Sequence, residues 1–507
     1  MPPLKPLPGW LAAMLSVWAG CLIPLSLAPF NLWLLGLLGI TGLALLLQGQ
    51  SAARAWWRAL LFGLGLYGLG TSWIYVSIHD YGNASAPLAA LLTGLFTAFM
   101  ALLFSLPFYL YGRWFSHRPL NLLLAFPALW LLGEWLRTWL LTGFPWLYPG
   151  YGHLDTWLAG WAPVVGVLGL SLILGLTAGL VAYWLWHGRQ GTRASRMSLL
   201  LLLFWPLGLA LKPLDWSQPQ GDPVSLGMVQ PNIPQALKWD PNFVEPTLAR
   251  LEKLSEDLWD KDLIIWPEAA IPQVYHQMQP FIEELEAQAR TRQTALISGI
   301  IYDHLSAERG WVYHNSLVGL GEAQGLYHKQ RLVPFGEYVP LEAWLRGLID
   351  FFDLPTSVIT SGPARQPGLQ LGELNIAPFI CYEIVYPDQV ARNARNSQLL
   401  LTVSNDAWFA DSIGPLQHLQ MAQMRALETG RELGRSTNNG VSALIDHKGG
   451  IKARGEQFVE ETLSGELQPR TGLTPFMRWG TWPLLVLALG VLAWAWWGGR
   501  RTRDAEC

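Results

Sequence analysis

Charge is scarce in this chain. Only 14% of its 507 residues are Asp, Glu, Lys or Arg, 51% are apolar, and the net charge is −3. So near-neutral a balance offers no basic surface for nucleic acid, and no nucleic-acid partner is expected. Cysteine is scarcer still, with Cys21, Cys381 and Cys507 alone. Their spacing matches neither a disulfide framework nor a zinc site, so no cross-linked scaffold, metal or cofactor is expected. Cys21 lies inside an apolar run and reads as a small buried hydrophobe, and Cys507 as a tail residue. Cys381 stands in different surroundings.

The scarce charge is also unevenly spread. The first two hundred residues carry few acids or bases, whereas Asp222 to Glu466 has the composition of an ordinary globular domain. Tryptophan is abundant, with 28 residues, many flanking long apolar runs as side chains do at a membrane–water interface. A bilayer core of about 30 Å needs roughly 20 apolar residues in helical form. Stretches 9–28, 30–48, 57–78, 86–112, 120–140, 160–187, 196–213 and 479–498 meet that description, giving about eight expected spans. Pro24 and Pro29 mark the break between the first two, because proline removes a backbone donor and disfavours helix before it. No small-residue cleavage site clearly follows the first stretch, which is therefore read as a retained span.

Sidedness follows from the basic residues. Lys5 precedes the first span, Arg54 and Arg58 separate the second and third, and Arg113 and Arg118 the fourth and fifth. Arg189, Arg193 and Arg196 separate the sixth and seventh, and Arg500, Arg501 and Arg503 follow the last. The alternate connections are poorer, and His79–Ala84 has no base. With eight spans and both termini inside, every cluster falls on one side and the large polar domain lies outside. The expected organisation is a helical membrane bundle over 1–213, an external domain over 220–470, a closing span over 479–498 and a cytoplasmic tail over 499–507. Glu134 and Arg137 stand one turn apart near the end of the fifth span and read as an interior ion pair, with a headgroup contact as the functional alternative.

Within 220–470 the hydrophobic period changes. β-rich runs at Val224–Val229, Asp262–Trp266, Ala295–Ile301, Asn315–Leu320, Leu374–Ile380 and Leu399–Ser404 alternate with helical patterns near 243–259, 277–292, 386–396 and 416–434. That alternation predicts a layered α/β domain, and His447-Lys-Gly-Gly450 reads as a hairpin turn. Glu268, Lys329 and Cys381 each follow an apolar run, so all three fall at strand ends, where reactive groups of α/β sheets gather. Together they form a coherent set. A cation lowers a thiol's pKa, a carboxylate can take its proton, and a lysine can hold the oxyanion of a tetrahedral intermediate beside a backbone N–H following the nucleophile.

The wording around these residues is more specific than their types. Ile265-Trp-Pro-Glu268, Tyr327-His-Lys329 with Leu332-Val-Pro-Phe-Gly-Glu-Tyr-Val-Pro340, and Ile380-Cys-Tyr-Glu383 resemble the nitrilase superfamily. With the apolar spans, and with Gln230-Pro-Asn-Ile-Pro234, Lys238-Trp239, Ser404-Asn-Asp-Ala-Trp408, Ser436-Thr-Asn-Asn-Gly440 and Gly143-Phe-Pro-Trp146, the chain resembles its membrane-bound apolipoprotein N-acyltransferase branch. The resemblance implies an αββα sandwich facing the periplasm from a bacterial inner membrane. It implies Glu268 as general base, Lys329 as oxyanion stabiliser and Cys381 as nucleophile, with Glu337, Tyr382 and Glu383 in supporting places. It further implies an acyl donor that is a phospholipid, typically phosphatidylethanolamine cut at sn-1, a thioester on Cys381, and a diacylglyceryl apolipoprotein as acceptor. Glu337 is expected to hydrogen-bond the lysine or the base.

Val339 to Leu354 is unusually apolar for a connection. Leu341, Trp344, Leu345, Leu348, Ile349 and Phe352 fall on one face of an expected helix. That face, with Trp239, Trp408 and Phe409, is read as a lipid-guiding surface, and Trp146 as a further substrate contact. Two other functions fit parts of the pattern. A membrane-tethered amidase or nitrilase hydrolase would use the same three groups with water as acceptor, but would not need spans on both sides of the domain. A transporter or lipid receptor with an inactive domain would show charges deep in several spans or a broken triad, and neither is present.

Overall fold

The computed structural model describes residues 7–82, 84–187, 193–347 and 357–504. Two compact units emerge: residues 1–75, 87–214 and 478–507 form one, residues 76–86 and 215–477 the other.

The first unit is helical. Among the described residues, three helices are long and apolar enough to cross a membrane: Ala86–Phe115, Pro119–Thr142 and Trp157–Trp186. Ala52–Gly70 and Trp73–Tyr81 together make a fourth if the 55° bend between them lies within one span. Gly9–Leu25, Trp33–Leu47, Arg196–Leu211 and Trp482–Gly498 are apolar but shorter. At 1.5 Å per residue, a helix of 15 to 17 residues reaches only about 25 Å, less than the hydrocarbon core. Gly9–Leu25 and Trp33–Leu47 are the stretches where the expected count of eight exceeds what helix length supports, whereas the last helix runs on to Asp504, 23 residues in all, with its apolar part ending at Gly498. The outward surfaces are apolar. On Ala86–Leu110, Leu91, Leu95, Phe99, Leu102 and Leu106 are all exposed, as are Trp482, Val486, Leu487 and Leu489 near the chain's end. A soluble helix turns its polar face to solvent, so these stripes belong against lipid.

Glu134 and Arg137 do not form the expected ion pair. Both are buried, but Glu134 Oε1 accepts from Trp130 Nε1 at 2.8 Å, while Arg137 donates to the Trp146 carbonyl at 3.2 Å and lies over the Tyr67 and Tyr148 rings. Aromatic and backbone partners replace the carboxylate.

The second unit has two seven-stranded mixed sheets. The first runs in the order Glu461–Leu467, Val224–Gln230, Leu263–Ile265, Ala295–Ser306, Gly310–Gly321 and Leu326–His328, with Ile271–Val274 pairing onto Ala295–Ser306. The second runs Ile451–Arg454, Ala443–Ile445, Leu433–Thr437, Leu399–Ser404, Leu374–Ile380, Leu369–Leu371 and Ala323–Gln324. Parallel pairing holds where helices connect the strands, as between Leu226 and Leu263, Leu263 and Ala295, and Ile376 and Leu399. One buried cluster, including Leu226, Ile265, Ile297, Ile380, Leu401 and Leu444, joins the sheets face to face. The other face of the first sheet, through Ile264, Trp266 and Leu296, packs on Leu248 and Leu251 of helix Val244–Ser255 and on Leu285 of helix Gln279–Arg292. Helices Pro387–Asn393 and Gly414–Thr429 belong to the second sheet, giving the expected αββα layering.

One expected helix is corrected, and another is described only in part. The pattern read as helical to 434 ends at Thr429, because Gly430 turns left-handed and Leu433–Thr437 becomes a central strand. The β-branched and small residues of Arg435-Ser-Thr437 fit a buried strand better than a helix. Among the described residues, the amphipathic connection after Val339 forms one short helix, Glu342–Leu345, before Arg346 extends and Gly347 adopts a φ of +81°. Leu348, Ile349 and Phe352 lie outside the described residues.

Segment 76–86 joins the second unit through Ser77 Oγ, which donates to the Trp408 carbonyl at 2.7 Å, and through Tyr81 against the Trp408 ring. Gly299 lets the loop carrying Glu268 lie directly on strand Ala295–Ser306. A Cβ there would come within 2.4 Å of both the Ala269 nitrogen and the Pro267 carbonyl oxygen. Gly299→Ala is expected to destabilise the protein by roughly 1–3 kcal/mol, as overpacking against backbone does. A lowered thermal unfolding midpoint in detergent, with slowed Cys381 alkylation, would register it.

Candidate active site

Glu268 leaves the first sheet after Leu263–Ile265, and Lys329 follows strand Leu326–His328 of the same sheet. Cys381 ends strand Leu374–Ile380 of the second sheet. The three do not share one sheet edge, but are brought together by the packing of two sheets. Both loop reversals are tight: Ala269, just after the glutamate, has φ +44°, and Cys381 itself has φ +50°, left-handed values unusual for non-glycine residues.

Lys329 Nζ donates to Glu268 Oε1 at 3.2 Å and to Glu337 Oε1 at 2.8 Å. Asn315 repeats the bridge, its Nδ2 lying 2.8 Å from Glu268 Oε1 and 2.9 Å from Glu337 Oε1. The other oxygens are held by backbone: Asn405 N–H donates to Glu268 Oε2 and Val333 N–H to Glu337 Oε2, each at 2.8 Å. A second lysine, Lys238, is also buried and donates to the Glu268 backbone carbonyl at 2.9 Å.

These contacts fix the charge states. Burial alone would raise the Glu268 carboxyl, but Lys329, Lys238 and the Asn315 and Lys329 hydrogen bonds outweigh it and hold the group below its ordinary value. Burial opposes the Lys329 charge, yet Glu268 and Glu337 raise its pKa above the usual lysine range. Lys238 has fewer anions near it, and burial lowers it to about 8 against the opposing pull of Glu268 and Cys381. The Cys381 thiol is raised by burial and by Glu268, with Lys329 acting the other way. At neutral pH the resting site therefore holds a neutral thiol beside an ionised carboxylate, so the thiolate must form by proton transfer. Among the described residues, no group of three or more His, Cys, Asp or Glu side chains is placed to hold a metal ion.

Glu383 is fully buried and accepts from Tyr327 Oη, Gln330 N–H, Ile380 N–H and Gln389 Nε2. It ties the loop after Lys329 to the strand that ends at Cys381. Tyr382 packs edge-on against Tyr386.

The chain's N-terminal residues 19–180 match the apolipoprotein N-acyltransferase N-terminal domain, and residues 225–476 match the carbon–nitrogen hydrolase family. It is 49% identical over 491 residues to an apolipoprotein N-acyltransferase of Azotobacter vinelandii, covering 96% of this chain and 95% of that one. The corresponding protein of Pseudomonas putida is 48% identical, covering 97% and 98%. The chain belongs to the apolipoprotein N-acyltransferase family. It is accordingly an acyltransferase and a membrane enzyme, carrying a nitrilase-like domain.

Against that family frame, the expected site residues divide. Glu268, Lys329 and Glu337 are joined directly by hydrogen bonds, and Cys381 is coupled to them electrostatically. Trp239 is half-buried with its Nε1 lacking a hydrogen-bond partner, and Trp408 is partly exposed. Trp344 is 82% exposed. Trp146 is only 1% exposed and packs on Trp73 and Phe144 inside the helical unit, so it offers no open face to substrate. Phe352 lies outside the described residues. Asn315 and Lys238 were not anticipated as site residues. Asn315 reaches the site because Ser316 pairs with His328, which sets it opposite Lys329, and only strand register reveals that.

The pH dependence follows in sign. A carboxyl held below its ordinary value stays ionised as pH falls, so Cys381 alkylation assisted by Glu268 persists into mildly acidic solution. Lys238→Met removes one of the cations that depress Glu268. Its acid limb is therefore expected at higher pH than in the wild type, read from iodoacetamide alkylation rates across pH.

Proposed function

We propose that Cys381, with Glu268 and Lys329, transfers the sn-1 acyl chain of a phospholipid, phosphatidylethanolamine above all, to the α-amine of a diacylglyceryl-cysteine on an apolipoprotein. One observation carries this reading: a buried Glu268 carboxylate bridged to Lys329 at 3.2 Å, in surroundings that hold its pKa down and push the Cys381 thiol up. Glu268 takes the thiol proton as sulfur attacks the ester carbonyl. Lys329 and the backbone N–H after Cys381 hold the resulting oxyanion. Collapse breaks the ester C–O bond, and the lysophospholipid oxygen leaves with the proton returned by Glu268. The thioester then awaits the amine, which attacks the same carbonyl while Glu268 takes its proton; the thiolate departs and is reprotonated. One difficult exchange becomes two easier ones.

Glu337 keeps Lys329 charged and aimed, and Glu383 and Tyr382 support the cysteine loop. The helical unit is proposed to cross the inner membrane eight times, its short helices aided by local thinning and interfacial tryptophans, with both termini cytoplasmic and residues 220–470 in the periplasm. Leu341 and Trp344, 76% and 82% exposed, are proposed to meet the outer leaflet together with Trp239, Trp408 and Phe352 and to admit acyl chains.

Intact-mass measurement after incubation with phosphatidylethanolamine tests the chemistry. Wild type should gain one acyl mass, and Cys381→Ala should gain none. Fatty-acid release without an adduct would favour hydrolysis and overturn the transfer reading. Glu337→Gln should slow adduct formation by about 10- to 100-fold, less than the loss from removing a direct oxyanion donor. Trp344→Ser should weaken acylation from lipid while iodoacetamide alkylation of Cys381 stays at the wild-type rate.

A further inference from the structure

Beneath the nucleophile lies a second buried polar cluster that the acyl-transfer chemistry leaves unused. His418, in helix Gly414–Thr429, is completely buried, as is Arg435, and Asp406 is only 1% exposed. Asp406 Oδ1 accepts from Ser404 Oγ at 2.6 Å and Asp406 Oδ2 from Arg435 Nη2 at 2.6 Å. His418 Nδ1 stands 3.1 Å from both Arg435 Nη2 and Asp406 Oδ1, and its Nε2 stands 3.1 Å from the carbonyl oxygen of Cys381.

We propose that His418 is a positioning residue that, by donating from Nε2 to the Cys381 carbonyl, locks the peptide plane joining Cys381 to Tyr382. This rests on Cys381 being the acylated nucleophile.

A carbonyl oxygen only accepts, so the contact with Cys381 assigns the ring proton to Nε2. Nδ1 then carries the lone pair and accepts from Arg435, while Asp406 is already engaged by Ser404 and Arg435. Burial and the neighbouring Arg435 lower the His418 pKa, which favours the neutral ring, and the contact with the Cys381 carbonyl then selects the tautomer. The consequence reaches the site through one covalent unit. In a trans peptide, C=O and N–H point in opposite directions, so fixing the Cys381 carbonyl toward His418 turns the Tyr382 N–H the other way. A hydrogen bond to the carbonyl also polarises that N–H and strengthens it as a donor. Cys381 is held at φ +50°, a strained value that must be maintained by its surroundings. His418 supplies one such restraint from a helix, where its own position is rigid.

Two substitutions separate this role from simple packing. Gln places an amide donor near the position of Nε2, whereas Asn reaches only as far as Nδ1. His418→Asn is expected to slow single-turnover thioester formation by about 10- to 100-fold, below the loss from deleting an oxyanion donor outright, and His418→Gln to recover to within a few-fold of wild type. Wild-type acylation at Cys381 is the control on the chemistry: its absence would fail the nucleophile assignment, not the positioning role. Equal rates for His418→Asn and wild type, or no recovery in a folded His418→Gln, would overturn the proposal. Should either variant unfold, ¹⁵N spectra of histidine-labelled wild type in micelles decide it. A neutral Nε2–H ring is expected, and an Nδ1–H ring would overturn it.

Discussion

A lysine with 1% of its side chain exposed can keep its charge only if anions are built around it. In this enzyme Glu268 and Glu337 are those anions, and Asn315 holds the two carboxylates at a common spacing. Much of the catalytic unit's layout serves that cluster. The first sheet supplies Glu268, Asn315 and Lys329 from three separate strands or their ends, and the second sheet brings Cys381 to the same place. Removing either carboxylate would leave buried charge unbalanced, so the site is an electrostatic unit more than a set of separable residues.

The same arrangement explains the state of the thiol. A buried site that already holds the Glu268 carboxylate disfavours an added negative charge, so burial and then Glu268 raise the Cys381 thiol. In the proposed mechanism sulfur becomes nucleophilic when its proton moves to Glu268, which leaves the total charge unchanged. On that proposal the site suppresses idle thiolate chemistry until an ester carbonyl is in reach.

Most of this fold was legible in the sequence where period and length were strong. Runs such as Val224–Val229 and Leu374–Ile380 are strands as read, and the three principal residues stand where apolar runs end. The failures have physical reasons. The segment Gly430-Arg-Glu-Leu-Gly434 reads as part of the preceding helix, but Gly430 in the left-handed region ends it. Trp146 looks interfacial by composition and is buried by packing on other rings. Asn315 and His418 carry no local signal, because one depends on strand register and the other on a helix passing beneath a loop. Span number is the least legible quantity, since apolar composition marks a helix for lipid before its length qualifies it to cross.

The segment 76–86 adds a matter of timing. Ser77 bonds to Trp408 across 331 residues of chain. At about 5–20 residues per second of synthesis, the early segment waits roughly 15–70 s before its partner exists. The second unit is thus completed only when its late-made loop at Trp408 meets a segment synthesised long before it. A catalytic fragment cut at residue 215 would lack part of its own surface from the start.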